Sequence, residues 1–374
     1  MNDYLRNRLL GRREFTLGLA STAAAATLLP GLPAFAADDW KARWDKVVAE
    51  ANKEGALNVA GPSGRQWQQL LTDFGKEFPK IKIRVTPFDS RDFWPRILKE
   101  REVGKNLWDL RVGGADTQVY PLAKQGGLAD VRAMFILPEV ADESNWHGGF
   151  DHMFLDNAKK FVPSFGAYES PLAHTNRAFI KDGDIKDIRE LLLPRWKGKI
   201  AMANPRGGST AVSMALIYKV IGPDFIRDLF TKQQPVIVKN SRQLMDWFSS
   251  GKYPIGFGLP NSQIVAYRKR GVKLDMGKVA GLDVWSVGVN GLQVLNPRPN
   301  PNATTVFVNW ILSKKTQAHI MPKVKVNSRR KDVDIVDKHR ELDWKNYKSA
   351  VSGQTEDFTQ AMLDAKKLIR ELVK

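Results

Sequence analysis

Hydrophobic residues in the first half of the chain fall into two alternating patterns. Short runs rich in apolar residues at positions 57–60, 81–85 and 107–112 have the length of buried strands. After each run, apolar residues recur at intervals of three and four, the spacing of one helix face. These helical positions are Trp67, Leu70, Leu71 and Phe74; Phe93, Ile97 and Leu98; and Val119, Leu122 and Ala123. Strands that alternate with helices predict a parallel sheet covered on both faces.

The second half of the chain repeats this alternation. Residues 199–203, 236–239 and 253–259 have the character of strands, with helical patterns at residues 212–220 and 244–248. The repeat predicts a second α/β unit with its own sheet.

Four further segments complete the pattern. Residues 285–294 alternate like one strand that returns to the first unit, and residues 40–54 and 302–312 have helical spacing. A terminal helix carries its apolar residues on one face, and these are Phe358, Met362, Ala365, Ile369 and Leu372. We expect this terminal helix to dock on the rest of the protein.

The chain is therefore predicted to fold as two α/β lobes joined by two crossings, near residues 161–168 and 285–294. The assigned boundaries are residues 37–165 and 286–345 for lobe 1, residues 166–285 for lobe 2, and residues 346–374 for a C-terminal helix packed on the lobes. Ligands of such sheets bind beyond the carboxyl ends of the strands. The expected site is a cleft between the lobes that closes by a hinge.

The N-terminal residues have the plan of an export signal. Arg12 and Arg13 precede an apolar run of 13 residues from Leu17 to Leu29, and Ala34-Phe35-Ala36 supplies small residues for cleavage. The paired arginines followed by Phe15 resemble a twin-arginine signal. The run is shorter than the roughly 20 residues that span a bilayer. We predict cleavage of residues 1–36 near Ala36–Ala37 and a mature protein in the bacterial periplasm.

Composition and charge narrow the functional classes. The chain has no cysteine, which excludes thiol catalysis and cysteine metal sites. The net charge of +18 is compatible with nucleic acid, an anionic membrane surface or an anionic ligand. The basic cluster at residues 323–331 comes with no nucleic-acid-binding signature, so we interpret it as solvated surface.

An enzyme is the alternative class, in the form of a periplasmic enzyme exported by the twin-arginine route. The five histidines are scattered, and neither a nucleophile elbow nor a cofactor motif is present. We therefore predict a protein that is not an enzyme and that has no cofactor, no metal site and no nucleic-acid partner.

Four ordered segments resemble family 1 extracellular solute-binding proteins, the receptors of ABC importers, in the group that includes ferric-ion binders. The segments are residues 44–55, 198–206, 250–256 and 299–314. The resemblance implies the two-lobed type II periplasmic-binding-protein fold with two hinge crossings. It also implies a monomer without chemistry of its own, which delivers a small-molecule solute to an ABC permease at the inner membrane.

One departure from the family pattern bears on the solute. Ferric-ion binders of this group present two consecutive tyrosines on a loop that corresponds here to residues 258–267. In this chain the loop offers the neutral side chains of Asn261, Ser262 and Gln263, and Tyr267 is single and late. Ferric iron prefers anionic oxygen ligands. The sequence therefore predicts no iron site, and a ferric-ion binder stays an alternative.

The strongest candidate contacts lie at the turn between a predicted strand and helix. Glycines there let a ligand approach the backbone, and free amides point out of the helix start. Arg206 can pair with a carboxylate or phosphonate. With it we assign Gly208, Ser209 and Thr210 as ligand-binding residues. The alternative interpretation is that Ser209 only caps the helix.

Other candidates lie at the equivalent edges of both lobes, where ordinary turns are the alternative interpretation. They are Ser63, Gly64 and Arg65 after the first strand, Gly114 and Asp116 after the third, Tyr168 beyond the first crossing, and Asn261 and Ser262. We expect a small anionic organic solute bound by Arg206. A cationic solute such as thiamine or a polyamine is the rival, for which Asp116, Tyr168 and Glu169 would serve.

Overall fold

Two separate sheets organise the structure, a computed structural model that describes residues 36–88, 90–281, 283–345 and 350–373. The predicted export signal lies outside the described residues except for Ala36. Contacts divide the chain into residues 1–39 and residues 40–374, and both sheets lie in the second unit. No helix in the described part has the length and apolar character needed to cross a membrane.

The strands are short, and most lie close to the predicted runs. They are β1 Ala56–Gly61, β2 Lys82–Pro87, β3 Leu110–Val112, β4 Tyr168–Glu169, β5 His174–Asn176, β6 Ile200–Ala203, β7 Val236–Val238, β8 Ile255–Phe257, β9 Met276–Lys278, β10 Trp285–Ser286 and β11 Leu292–Val294.

The helices cover the sheets and include the predicted terminal helix. They are α1 Ala36–Glu54, α2 Arg65–Thr72, α3 Phe74–Glu77, α4 Ser90–Glu102, α5 Val119–Lys124, α6 Pro138–Ala141, α7 Gly149–Met153, α8 Gly208–Val220, α9 Pro223–Asp228, α10 Ser241–Ser249, α11 Asn261–Lys269, α12 Pro301–Leu312, α13 Lys314–Val324 and α14 Thr359–Leu372.

Lobe 1 is built on a four-stranded sheet in the order β11-β3-β1-β2. Strand β1 pairs in parallel with β2 over its whole length, and also in parallel with β3. Strand β11 is antiparallel to β3, with Gln293 opposite Arg111. In the core beside this sheet the rings of Phe307 and Trp310 lie 5.3 and 5.4 Å from that of Phe74.

Lobe 2 is built on a five-stranded sheet in the order β7-β6-β8-β5-β9. Strand β6 is parallel to β7 and β8, whereas β5 is antiparallel to β8 and β9. The strands predicted from the alternation with helices are parallel to one another in each lobe. Both sheets are nevertheless mixed, because β11 runs antiparallel in the first and β5 in the second. Strands β5 and β11 each follow a crossing of the chain from one lobe to the other. After the crossing, the chain enters the new sheet antiparallel to its neighbouring strand.

The two lobes are connected by a small antiparallel pair, β4 with β10, in which Tyr168 lies opposite Ser286. The alternation at residues 285–294 predicted one strand, but the structure has β10 and β11 separated by a turn. Gly288 adopts a positive φ of 54° in that turn, and the Asn290 N–H donates to the Val287 carbonyl at 2.9 Å. Because of this turn, β10 pairs with β4 at the hinge and β11 pairs with β3 in the sheet of lobe 1.

A third passage between the lobes, which was not predicted, follows residue 350. Val351 bridges to Val284 beside β10. Glu356 then binds lobe 1, where its carboxylate pairs with Lys124 Nζ at 2.8 Å. Beyond it, α14 packs on α8 of lobe 2, and Lys219 Nζ donates to the Asp357 carbonyl at 2.5 Å.

Helix α14 runs antiparallel to α8. Its beginning is held by Lys219 near the end of α8, and the Arg206 guanidinium at the beginning of α8 donates to the Val373 carbonyl at its end. Ala365, Leu368 and Ile369 of α14 join the apolar core of lobe 2. The terminal helix therefore completes lobe 2 while the segment before it contacts lobe 1.

Candidate ligand-binding site

A cavity of about 490 Å³ lies between the two lobes and the C-terminal segment. Lobe 1 contributes the turn after β3, lobe 2 contributes the turn after β6 with the start of α8, and the C-terminal segment forms a third wall. The lining residues are Ala115, Asp116, Thr117, Tyr120, Asn204, Arg206, Gly207, Gly208, Ala211, Val212, Gly353, Gln354, Thr355, Thr359, Met362 and Lys366. Asp116, Arg206 and Gly208 are the sequence-predicted site residues that this cavity brings together.

The wall from lobe 1 depends on a close backbone approach at Gly114. A Cβ atom there would lie 2.2 Å from the Gly288 carbonyl oxygen, so no other residue fits without displacement of the hinge turn. Asp116 is the charged residue of this wall. Its carboxylate accepts hydrogen bonds from the Trp94 indole N–H and from the Gln118 backbone N–H, both at 2.9 Å. These two hydrogen bonds from the protein fix the position of the Asp116 carboxylate.

Tyr120 closes the lobe 1 side of the cavity. It is 3% exposed, and its hydroxyl donates to the Gln354 carbonyl of the C-terminal segment. Burial, together with the negative charges of Asp156 and Glu356, holds the pKa of the Tyr120 phenol well above its ordinary range. The side chain is therefore a neutral hydrogen-bond donor that ties lobe 1 to the C-terminal segment.

The wall from lobe 2 is the turn that starts α8. Asn204 shapes this turn, because its side-chain oxygen accepts from the Arg206 N–H at 3.0 Å and its carbonyl accepts from the Gly207 N–H at 3.2 Å. Gly207 is the N-cap, and among the described residues no side chain caps the helix or places an acid in its first turn. The interpretation of Ser209 as the cap is therefore wrong.

This uncapped helix start is electropositive. The first amides of a helix have no partner within the helix, and the helix dipole adds a partial positive charge there. Arg206 lies exposed beside it, donates to the Val373 carbonyl, and has no carboxylate partner in the described part of the chain. The arrangement can hold an anion.

Ser209 and Thr210 are on the first turn of α8, but neither lines the cavity. Ser209 is exposed, whereas Thr210 is 1% exposed and packs towards the end of β8. A Cβ atom at Gly258 would lie 2.0 Å from Thr210 Oγ1. Thr210 therefore faces the sheet of lobe 2, and its hydroxyl has no hydrogen-bond partner among the described residues.

Of the remaining candidates from the sequence, Ser63, Gly64, Arg65 and Asn261 are not among the residues that line the cavity. Ser63, Gly64 and Arg65 are exposed where α2 begins, and Asn261 and Ser262 begin α11. The start of α2 is turned towards α13, because Gln66 Nε2 donates to the Lys323 carbonyl at 3.0 Å. The structure thus brings together the turns after β3 and β6 without the turn after β1.

Tyr168 and Glu169 lie on the hinge strand β4 and are engaged by basic side chains. The Arg340 guanidinium carbon lies 3.7 Å from the centroid of the Tyr168 ring. The Glu169 carboxylate binds Lys278 Nζ at 2.6 Å. Two of the three candidates for a cationic solute, Tyr168 and Glu169, are therefore already in contact with cations of the protein.

Tyr267, the single tyrosine near the loop expected of ferric-ion binders, lies within α11. It is 4% exposed, and its hydroxyl donates to the Asp246 carboxylate. Among the described residues, no three His, Asp or Glu side chains are grouped so that they could hold a metal ion.

The C-terminal wall was missed by the reasoning from sequence. Its lining residues include Gln354, Thr359, Met362 and Lys366. Helical spacing predicted the terminal helix and its apolar face, but this pattern carries no information on which surface the helix covers.

Solved structures with the same fold include several iron-binding proteins. Iron-bound HitA from Pseudomonas aeruginosa has a TM-score of 0.64 and 16% sequence identity, and the match covers 85% of this chain and 99% of that chain. Apo ferric ion-binding protein A from Pasteurella haemolytica has a TM-score of 0.62 and 13% identity, with 85% of this chain and 98% of that chain covered. IdiA (FutA) from Trichodesmium, in complex with iron and citrate, has a TM-score of 0.63 and 15% identity, with 85% of this chain and 99% of that chain covered. At these identities the likeness concerns the fold, which is the two-lobed periplasmic-binding-protein fold. Among curated proteins, none matches the sequence.

The sequence itself matches a family model over residues 59–318, which include the strands of both sheets apart from the first three residues of β1, and the turns after β3 and β6. The family is that of the bacterial extracellular solute-binding proteins, which serve ABC transport and are binding proteins rather than enzymes. The chain therefore belongs to the bacterial extracellular solute-binding protein family.

Proposed function

We propose that this protein is the periplasmic receptor of an ABC importer and captures a small anionic organic solute in the cavity between its lobes. The observation that carries the proposal is the uncapped start of α8, with Arg206 beside it, in the wall of that cavity. Free amides, the helix dipole and a guanidinium group at one place favour a carboxylate or phosphonate.

The size and lining of the cavity support an organic solute. A volume of about 490 Å³ lies within the range of small-molecule sites. Ala115, Ala211, Val212 and Met362 add apolar surface next to the charged wall. A solute with an anionic group and an apolar body matches both parts of the lining.

A cationic solute is less well matched. Glu169 is paired with Lys278, and Arg340 lies over the ring of Tyr168. The Asp116 carboxylate already accepts two hydrogen bonds from the protein. A cation would therefore have to displace existing partners, whereas an anion would meet positive charge that lacks a carboxylate partner in the described residues.

The family and the predicted export signal support delivery to a permease and residence in the periplasm. Receptors of this family hand their solute to an ABC permease at the inner membrane. We propose the same for this chain, acting as a monomer and without a cofactor.

A thermal-shift screen of the purified mature protein tests the proposal. The panel contains mono- and dicarboxylates, alkylphosphonates, inorganic phosphate, thiamine, polyamines and metal ions. A ligand at a hundredfold excess over its Kd stabilises the native state by about 2.7 kcal/mol and raises Tm by several degrees. We expect the largest shifts from organic anions.

The paired variants Arg206→Ala and Arg227→Ala connect binding to the site. Arg227 is an exposed arginine of lobe 2 that does not line the cavity. Loss of a charge-assisted bond costs roughly 1.5–3 kcal/mol, so Arg206→Ala should weaken binding of the best anion about tenfold or more. Arg227→Ala should leave it unchanged. Tight binding of thiamine or a polyamine that Asp116→Asn abolishes would overturn the anion proposal.

A further inference from the structure

The C-terminal helix presents one face, with both polar and apolar side chains, to the cavity. Thr359, Met362 and Lys366 of α14 all line it, and their spacing of three and four residues places them on one side of the helix. The family match ends at residue 318, so this wall lies outside the matched segment. The wall is therefore a separate source of contacts from the turn at Arg206.

Two polar groups on this face, the Thr359 hydroxyl and the Lys366 ammonium, have no hydrogen-bond or ion-pair partner within the described residues. Thr359 Oγ1 is shielded from solvent and has no hydrogen-bond partner there. A buried hydroxyl without a partner is destabilising, and such groups in native proteins usually meet a ligand or an ordered water. Thr359 itself lines the cavity, so rotation of its side chain about the Cα–Cβ bond can bring the hydroxyl, which is shielded in this structure, to a bound solute.

Lys366 is half-buried, and the described part of the chain gives its ammonium group no carboxylate partner. Other basic side chains near the hinge are paired, as Lys278 is with Glu169 and Lys124 is with Glu356. Lys366 instead shares a cavity with Arg206 and the positive start of α8. Like charges around one cavity repel unless an anion lies between them.

We propose that α14 is part of the solute-binding site, an inference that rests on the proposed function and specifies its solute class. The Lys366 ammonium group pairs with an anionic group of the solute, the Thr359 hydroxyl hydrogen-bonds a second polar group, and Met362 packs on the apolar body between them. The solute is then an organic anion with polar groups at both ends.

The geometry of the helix excludes a bare inorganic ion as the full ligand. Thr359 and Lys366 are seven residues apart, which is about 10 Å along the helix axis. A solute that engages both needs two polar groups separated by an apolar spacer. α,ω-Dicarboxylates, hydroxycarboxylates and phosphonocarboxylates meet this requirement, whereas inorganic phosphate does not.

The experiment uses the full mature chain and calorimetric titration with α,ω-dicarboxylates from succinate to suberate, 3-phosphonopropionate and inorganic phosphate. Lys366→Met, Thr359→Val and Lys366→Arg are compared with Lys367→Met, an exposed neighbour that does not line the cavity. For the tightest probe we expect a loss of about tenfold or more for Lys366→Met and roughly three- to tenfold for Thr359→Val. Lys366→Arg and Lys367→Met should stay within about threefold of the wild type.

The outcomes separate this inference from the proposed function. If Arg206→Ala weakens binding while Lys366→Met and Thr359→Val bind like the wild type, α14 is only a structural wall and the inference is wrong. Phosphate binding as tightly as the best dicarboxylate would also overturn it. If no probe binds the wild type, the proposal of an anionic solute fails and this inference fails with it. Unchanged far-UV circular dichroism and Tm of the apo variants show that each variant is folded.

Discussion

The side chain of Gln354 is hydrogen-bonded to Ser286 of the hinge strand β10, with Ser286 Oγ donating to Gln354 Oε1 at 2.8 Å. The same oxygen accepts from the Val287 N–H at 3.0 Å, and Gln354 Nε2 donates to the Gly288 carbonyl at 3.2 Å. One C-terminal side chain therefore satisfies three groups of the segment that joins the lobes.

Gln354→Ala should lower the free energy of unfolding by roughly 1–3 kcal/mol, because the Val287 N–H loses its acceptor in a partly buried position. Urea denaturation followed by tryptophan fluorescence measures this loss. Gln360→Ala is the matched control, since Gln360 is exposed on α14 and, among the residues that the structure describes, its side chain bonds only Asp364. Equal stability of the two variants would contradict a structural role for Gln354 at the hinge.

Stability should fall as the pH decreases from about 6.5 to about 4, in part through His147. Its ring is stacked on Trp344, with centroids 4.5 Å apart. Burial, and then the charges of Lys331 and Arg329, lower the pKa of His147 to about 4. In this pH range the unfolded chain binds a proton that the native state does not, so the native state loses stability.

His147→Gln removes this contribution, so the variant should lose on the order of 1–2 kcal/mol less stability between pH 6.5 and 4 than the wild type. Because the His147 ring is partly exposed, this effect on stability is smaller than the pKa shift alone would give. Burial also lowers the pKa of His174 to about 4, but both proteins share that effect. His339→Gln, at an exposed position, is the control. Parallel pH profiles for His147→Gln and the wild type would contradict the assignment.

Ferric iron should not bind tightly. Tyr267 is buried against Asp246, and Tyr120 is a neutral phenol bonded to the Gln354 carbonyl. Titration of the apoprotein with ferric citrate should therefore give no visible tyrosinate charge-transfer band. A purple colour that appears on addition of iron would show that a tyrosinate site forms.

Export should depend on Arg12 and Arg13. The predicted twin-arginine route requires the pair, so substituting both by lysine should leave precursor in the cytoplasm. Immunoblots of periplasmic and cytoplasmic fractions measure the distribution, and Arg6→Lys with Arg8→Lys is the matched control. Normal amounts of mature protein in the periplasm of the Arg12/Arg13 variant would contradict this route.

Part of the site follows from sequence because the carboxyl ends of neighbouring strands meet at one edge of a sheet. That rule brought Asp116 and Arg206 to one cavity from positions 90 residues apart in the chain. The turn at Arg65 obeys the same rule but lies outside the cavity. Its orientation depends on the contact of Gln66 with Lys323, a long-range bond that no local pattern indicates.

The C-terminal wall could not be predicted for a different reason. Helical periodicity reveals an apolar face, but many surfaces can cover such a face, and the choice of α8 depends on side-chain packing in three dimensions. The break between β10 and β11 was hidden because the apolar alternation continues through the turn. Gly288 was the available signal, since its positive φ marks the change of direction.

The position of α14 also determines when folding can finish on the ribosome. Lobe 1 lacks an edge strand until β11 at residues 292–294 has been made, and lobe 2 lacks a cover for α8 until residues 359–372 emerge. Lobe 1 therefore receives its last strand before α14 is synthesised, whereas lobe 2 cannot cover α8 until α14 has been made. We expect α14 to dock late, and a transport route that accepts folded cargo has to act after this helix has docked.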